Sequence, residues 1–198
     1  MDDNNAIEAD NHAIETTENE LIALRRAHLD KLRTQRSGGN AFINTFKPQN
    51  QAAKLLANYD HLSKEDLNTT NEHTSIAGRI VLKRTMGKAS FLTLQDISGK
   101  LQIYVRQDAL GEDEYAQFLH CDLGDIVGAT GQIFKTNSGE LSIKATQVVL
   151  LTKALRPLPD KHKGLTDTEI RYRQRYLDLI TNPQSKQRLV SRSKIVSY

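Results

Sequence analysis

The 198 residues are 38% hydrophobic and 26% charged, which fits one folded domain with extensions, or a domain plus part of a second. No apolar run approaches the roughly 20 residues that cross a bilayer, the acidic start MDDNNAIEADNHAIETTEN is the opposite of a signal peptide, and the single Cys121 rules out an internal disulfide, so the expected location is the cytoplasm. The net charge of +3 is uneven: residues 1–19 hold six acids and no Lys or Arg, leaving a net of +9 on the rest, which suits either a polyanionic partner or an ordinary solvated surface.

Residues 1–19, polar and without periodicity, read as a disordered acidic tail. From Glu20 the run ELIALRRAHLDKLRTQR has helical spacing, with Leu21, Ile22, Leu24, Leu29 and Leu32 on one stripe and Ser37-Gly38-Gly39 as its end. This helix docks on the body of the protein, and its cations, Arg25 and Arg26 among them, either stay solvated or reach phosphates. A second helix is expected over Pro48–Tyr59, with proline in its first turn and Ala52, Leu55 and Leu56 as the apolar face. Residues 20–72 thus form a helical extension.

Between about residues 73 and 152 the period changes from 3.6 to 2. SIAGRIVLKRT, SFLTLQD and KLQIYV are three strands, DEYAQFLHC is a short helix, and DIVGATGQIFK and ELSIKATQVVLL are two further strands around an Asn137-Ser138-Gly139 turn. Gly78, Gly128 and Gly131 allow the sharp bends of a small barrel. Three strands, a helix and two strands is the order of a five-stranded OB-fold barrel, whose face and loops bind oligonucleotides. The fold class is therefore mainly β with flanking helices.

One hairpin in this region has an informative outer face. With Ser98-Gly99 as a two-residue loop, Leu94 pairs with Ile103 and Leu92 with Val105 on the core face. The outer face then pairs Gln95 with Gln102, Thr93 with Tyr104, and Phe91 with Arg106. Aromatics among amides and cations form a stacking platform for unpaired bases, and Lys83, Arg84 and Lys88 add attraction for phosphate. The competing reading has Phe91 capped by another segment and serving packing alone.

Other chemistry finds no pattern. The six histidines show no metal-ligand spacing, there is no Walker loop or GxGxxG, and no catalytic constellation is present. Asp96, Asp122 and Asp125 read as turn and cap residues. After the barrel, residues 153–166 (with KALRPLPDKHKGL) form an extended, two-proline linker. Thr166 and Glu169 give a capping-box pattern that opens a helix through Ile180, Asn182-Pro183 stops it, and a last helix from near Gln184 runs to Tyr198 as if cut off mid-pattern.

LTKALRPLPDKHKGLTDTEIRYRQRYLDLI, with MGKASFLTLQD and FKTNSGELSI before it, closely resembles bacterial lysyl-tRNA synthetase of class II from about Glu20 onward. The resemblance implies an anticodon-binding OB domain followed, over residues 167–198, by the start of the class II catalytic domain. It implies tRNA-Lys as partner, with Phe91 stacking on an anticodon uridine, Gln102 and Arg84 bonding to that base, and Glu140 as a further base contact. Tyr104, Arg106, Lys83, Lys88, Arg25 and Arg26 are additional candidate RNA contacts. Strand parity alone sets Arg84 on the core face, so its implied role needs a bulge. The resemblance further implies a homodimeric full-length enzyme that uses ATP and magnesium to attach lysine, with the helix of the first class II motif over Pro183–Tyr198 and the motifs that bind ATP, lysine and magnesium beyond residue 198. These residues alone are then expected to be inactive and to need no cofactor. Two other classes fit the residues: a sequence-tolerant single-strand binder of the same fold, and a protein-interaction module.

Overall fold

A computed structural model describes residues 3–35, 40–159, 165 and 167–198, with side chains from residue 19 onward. In chain order the elements are α1 (Asp3–Gln35), α2 (Ala52–Tyr59), α3 (Lys64–Thr70), β1 (His73–Met86), β2 (Ala89–Gln95), β3 (Lys100–Arg106), α4 (Gln107–Leu110), α5 (Glu112–Leu119), β4 (Ile126–Lys135), β5 (Leu141–Thr152), α6 (Thr168–Arg173), α7 (Arg175–Thr181) and α8 (Pro183–Val196). They fall into two units, Met1–Arg156 and Pro157–Tyr198.

The period-2 segments close into a barrel in the order β1-β2-β3-β5-β4. Only β3 and β5 run parallel; the other pairs are antiparallel. Alternate residues such as Ile76, Ile80, Leu92, Leu94, Ile103, Val127, Ile133 and Ile143 point inward and are fully buried. Leu55 of α2, Leu67 of α3, and Tyr115 and Phe118 of α5 complete the same cluster. Two of the flagged glycines are needed for close approach. A Cβ on Gly131, where β4 and β5 slip register, would lie 2.0 Å from the Lys144 carbonyl oxygen. One on Gly128 would lie 2.6 Å from the Phe46 ring.

The hairpin register differs from the expected one by two residues. Phe91 pairs with Tyr104, Leu92 with Ile103, Thr93 with Gln102, Leu94 with Leu101 and Gln95 with Lys100. The loop has four residues because Asp96 folds back on it: Oδ1 accepts from the N–H groups of Ser98 (2.7 Å) and Gly99 (2.8 Å) and from the Ser98 hydroxyl. A shift of two keeps every side chain on its expected face. Asp96 Oδ2 also accepts from Ala52 N at 2.7 Å, so this turn supplies the cap of α2. Burial works against ionisation of Asp96, but these donors outweigh it and hold the carboxyl below its ordinary range.

Helix α2 starts at Ala52 rather than Pro48. Gln49 and Asn50 donate their N–H groups to the Ser75 carbonyl of β1, which keeps the preceding residues extended. Helix α3 was not expected, although Ser63 and Asp66 form a reciprocal capping box at its start. Helix α1 begins at Asp3, so it also takes in residues 3–19; no Pro or Gly interrupts its sequence. Its buried positions are Arg25 and Leu29, whereas Leu21 and Leu24 are exposed. The expected stripe was therefore set too far round the helix. The Ser37-Gly38-Gly39 stop lies outside the described residues.

In the second unit, Asp167 caps α6 by accepting from Glu169 and Ile170 N–H. The expected cap, Thr166, lies outside the described residues, as do residues 160–164 of the linker. Gln174 interrupts the single helix that was expected through Ile180. Asn182 both ends α7 and caps α8. Asp178 is buried among Arg171 (3.3 Å), Arg175 (2.9 Å) and α8.

Candidate nucleic-acid interface

Arg84 reaches the outer face of the barrel through one extra residue. The β1–β2 register shifts between Ile80 and Leu82, leaving Val81 without an opposite number. Ile80 faces inward opposite Leu94, but Leu82 lies opposite Thr93 and Arg84 opposite Phe91. Directly opposed residues share a face, so the bulge places exposed Arg84 on the side of Phe91.

The neighbouring ring on β3 is Tyr104, stacked on Phe91 with centroids 4.8 Å apart and planes at 29°. Beyond it Phe134 of β4 lies 5.9 Å from Tyr104. All three rings are half-buried. They form a row across the sheet that keeps Phe91 from collapsing onto the surface. Phe134 was not singled out from the sequence, yet alternation with buried Ile133 already turned it outward. The same holds for exposed Lys144, between inward Ile143 and Ala145 and opposite Tyr104.

Gln102 lies one pair along from this row. Its Nε2 donates to Glu140 Oε2 at 2.9 Å, and its Oε1 accepts from Ser142 Oγ at 2.8 Å. Glu140 is held there by the turn before β5: Thr136 N donates to the Glu140 carbonyl, Glu140 N to Thr136 Oγ1, and Gly139 adopts φ +83°. The structure thus brings Arg84, Phe91, Gln102 and Glu140 onto one face, with exposed Lys88 in the β1–β2 turn.

Three further candidates are otherwise engaged. Lys83 falls on the inner side opposite Leu92, and its ammonium donates to the carbonyls of Leu119 (2.8 Å), Cys121 (2.7 Å) and Phe118 (3.3 Å) at the end of α5. Burial pushes that ammonium below its ordinary value. Arg25 is buried and donates to the carbonyls of Ala154 (2.9 Å) and Arg156 (3.1 Å), with Asp122 at 3.8 Å. Both cations satisfy backbone oxygens rather than wait for phosphate, a demand that periodicity does not reveal. Arg106 pairs with Asp108 and sits opposite Ala89, not Phe91. Arg26 remains exposed on α1.

Asp122 and Asp125 serve structure too. Asp125 is fully buried, bonds Lys153 at 2.8 Å, and accepts from Ala154 N and Asp122 N. Asp122 shares the same lysine. Burial pushes the Cys121 thiol up to about 11, far from a reactive thiolate. Among the described residues no group of three or more His, Cys, Asp or Glu is placed to hold a metal ion, and no helix is long and apolar enough to cross a membrane.

A closed five-stranded barrel with aromatics, amides and cations on one face defines an OB-fold nucleic-acid-binding domain. Residues 74–151 match the tRNA anti-codon family, described as an OB-fold nucleic acid binding domain. Relatives match over nine-tenths of the chain or more. The chain is 55% identical over 179 residues to a lysine–tRNA ligase of Aromatoleum aromaticum, covering 90% of this chain and 35% of that protein. For lysine–tRNA ligases of Idiomarina loihiensis and Neisseria gonorrhoeae the identities are 54% over 187 residues and 50% over 179. These cover 94% and 90% of this chain, and 37% and 35% of those proteins. The chain is similar to lysine–tRNA ligases and spans about 35% of the length of the relatives it matches.

Proposed function

We propose that this chain is the anticodon-binding portion of a lysine–tRNA ligase, which attaches lysine to tRNA-Lys using ATP and magnesium. Unpaired anticodon uridines stack on Phe91 and are read by Gln102 and Arg84, while Lys88, Lys144 and Tyr104 border the path of the RNA. The observation that carries this reading is the convergence of Arg84, Phe91 and the Gln102–Glu140 pair on one face, with Arg84 turned outward by the Val81 bulge. Residues 167–198 are the opening of the catalytic domain, whose ATP, lysine and magnesium sites belong to parts of the relatives without a counterpart in these residues. The whole enzyme works as a homodimer in the cytoplasm.

Titration of the chain with an anticodon stem-loop carrying UUU tests the reading. Binding should weaken steeply as salt rises and should weaken again when the middle uridine is replaced. Equal affinity for UUU, the replaced loop and poly-dT would instead identify a sequence-tolerant single-strand binder. Absence of RNA binding at low salt would point to a protein-interaction module.

A further inference from the structure

Gln102 lies between two partners of different character. The Glu140 carboxylate, 2.9 Å from Nε2, only accepts hydrogen bonds, so it would repel Oε1 in its place. The Ser142 hydroxyl, 2.8 Å from Oε1, donates or accepts equally well and has the Glu140 carbonyl as a second acceptor at 3.3 Å. Ser142 therefore tolerates either orientation of the amide. Glu140 does not. The polarity of the Gln102 side chain is set by one exposed carboxylate at the start of β5.

That polarity decides which base the amide can serve. A primary amide has two N–H donors and two lone pairs, and the two partners use one of each. One donor and one acceptor remain for RNA. Uracil presents an N3–H donor beside a carbonyl, whereas cytosine presents an N3 acceptor beside an amino group. An amide aligned on one must turn through half a revolution to suit the other.

We propose that Glu140 acts through Gln102 rather than on the RNA itself: its carboxylate locks the amide in the polarity that accepts uracil and refuses cytosine. This inference rests on the reading of the face as an anticodon reader. It makes Glu140 a positioning residue for specificity.

The test compares stem-loops carrying UUU and UCU on four forms of the 198-residue chain: unaltered, Glu140→Gln, Gln102→Ala, and both together. The unaltered chain should prefer UUU. Glu140→Gln supplies an amide that both donates and accepts, so Gln102 turns freely and the UUU-to-UCU preference should shrink by about tenfold or more, chiefly through a gain on UCU. With Gln102→Ala already present, Glu140→Gln should leave the preference unchanged, because any general charge effect moves both loops alike. Glu140 is exposed, so folding is not at stake. A Glu140→Gln effect on preference that persists without Gln102 would mean direct contact with RNA and would overturn the proposal. Full preference retained by Glu140→Gln would overturn it as well, leaving the anticodon reading intact. No preference in the unaltered chain would overturn the anticodon reading, and this inference with it.

Discussion

Phe91 faces outward because Leu92 and Leu94 fill the barrel, and it is held there by Tyr104 rather than by the core. Phe91→Ala should therefore weaken stem-loop binding by about 1–3 kcal/mol, as loss of one base stack does, with a modest effect on melting. Unchanged affinity with a clearly lowered melting temperature would show that packing is the ring's only role. Phe91, Tyr104 and Gln102 were legible as one face because alternation is a local property. The backbone engagement of Arg25 and Lys83 was not legible for the opposite reason. Their partners are carbonyls on distant segments, Ala154 lying 129 residues from Arg25, and neither composition nor spacing encodes such a meeting.

At the scale of elements, the strands followed the sequence closely and the turns did not. A two-residue loop at Ser98-Gly99 is what the dipeptide suggests, but a carboxylate at position 96 makes a wider turn by bonding its own backbone. The same side chain starts α2, so Asp96→Ala should destabilise the barrel unit by about 1–3 kcal/mol, measured by denaturant melts. Its carboxyl is held below the ordinary range in the folded state. The contribution is therefore complete above the unfolded carboxylate value and lost as pH falls through the folded one. Melting curves of the two forms should differ fully at neutral pH and converge as acid protonates the folded-state carboxyl. Helix α3 could have been found from Ser63 and Asp66, since a reciprocal cap is written in four consecutive residues.

For the molecule as a whole, the order of strands and helix was enough to name the barrel, because few closed sheets fit that order. What fastens α1 and the chain after β5 to the barrel was not visible. Lys153 is buried against Asp125, itself at 0% exposure, with Asp122 and the His120 carbonyl completing the set. Lys153→Met leaves Asp125 charged and unpaired in the interior, so the barrel unit should lose about 3–5 kcal/mol of stability. Chemical denaturation read by tyrosine fluorescence would measure it, and a loss under about 1 kcal/mol would show that the N–H groups of Asp122 and Ala154 suffice for Asp125 without the lysine.

The Val81 bulge also gives β1 two reading frames. Before it, even-numbered positions belong to the interior; after it, they belong to the outer face that carries Phe91 and Arg84. A substitution at an even-numbered position disturbs the core in the first half and the outer face in the second, although both halves are one continuous strand. An alignment of related chains that slides a gap from one side of Val81 to the other will exchange inside for outside over Leu82–Met86, and will set Arg84 among the core positions.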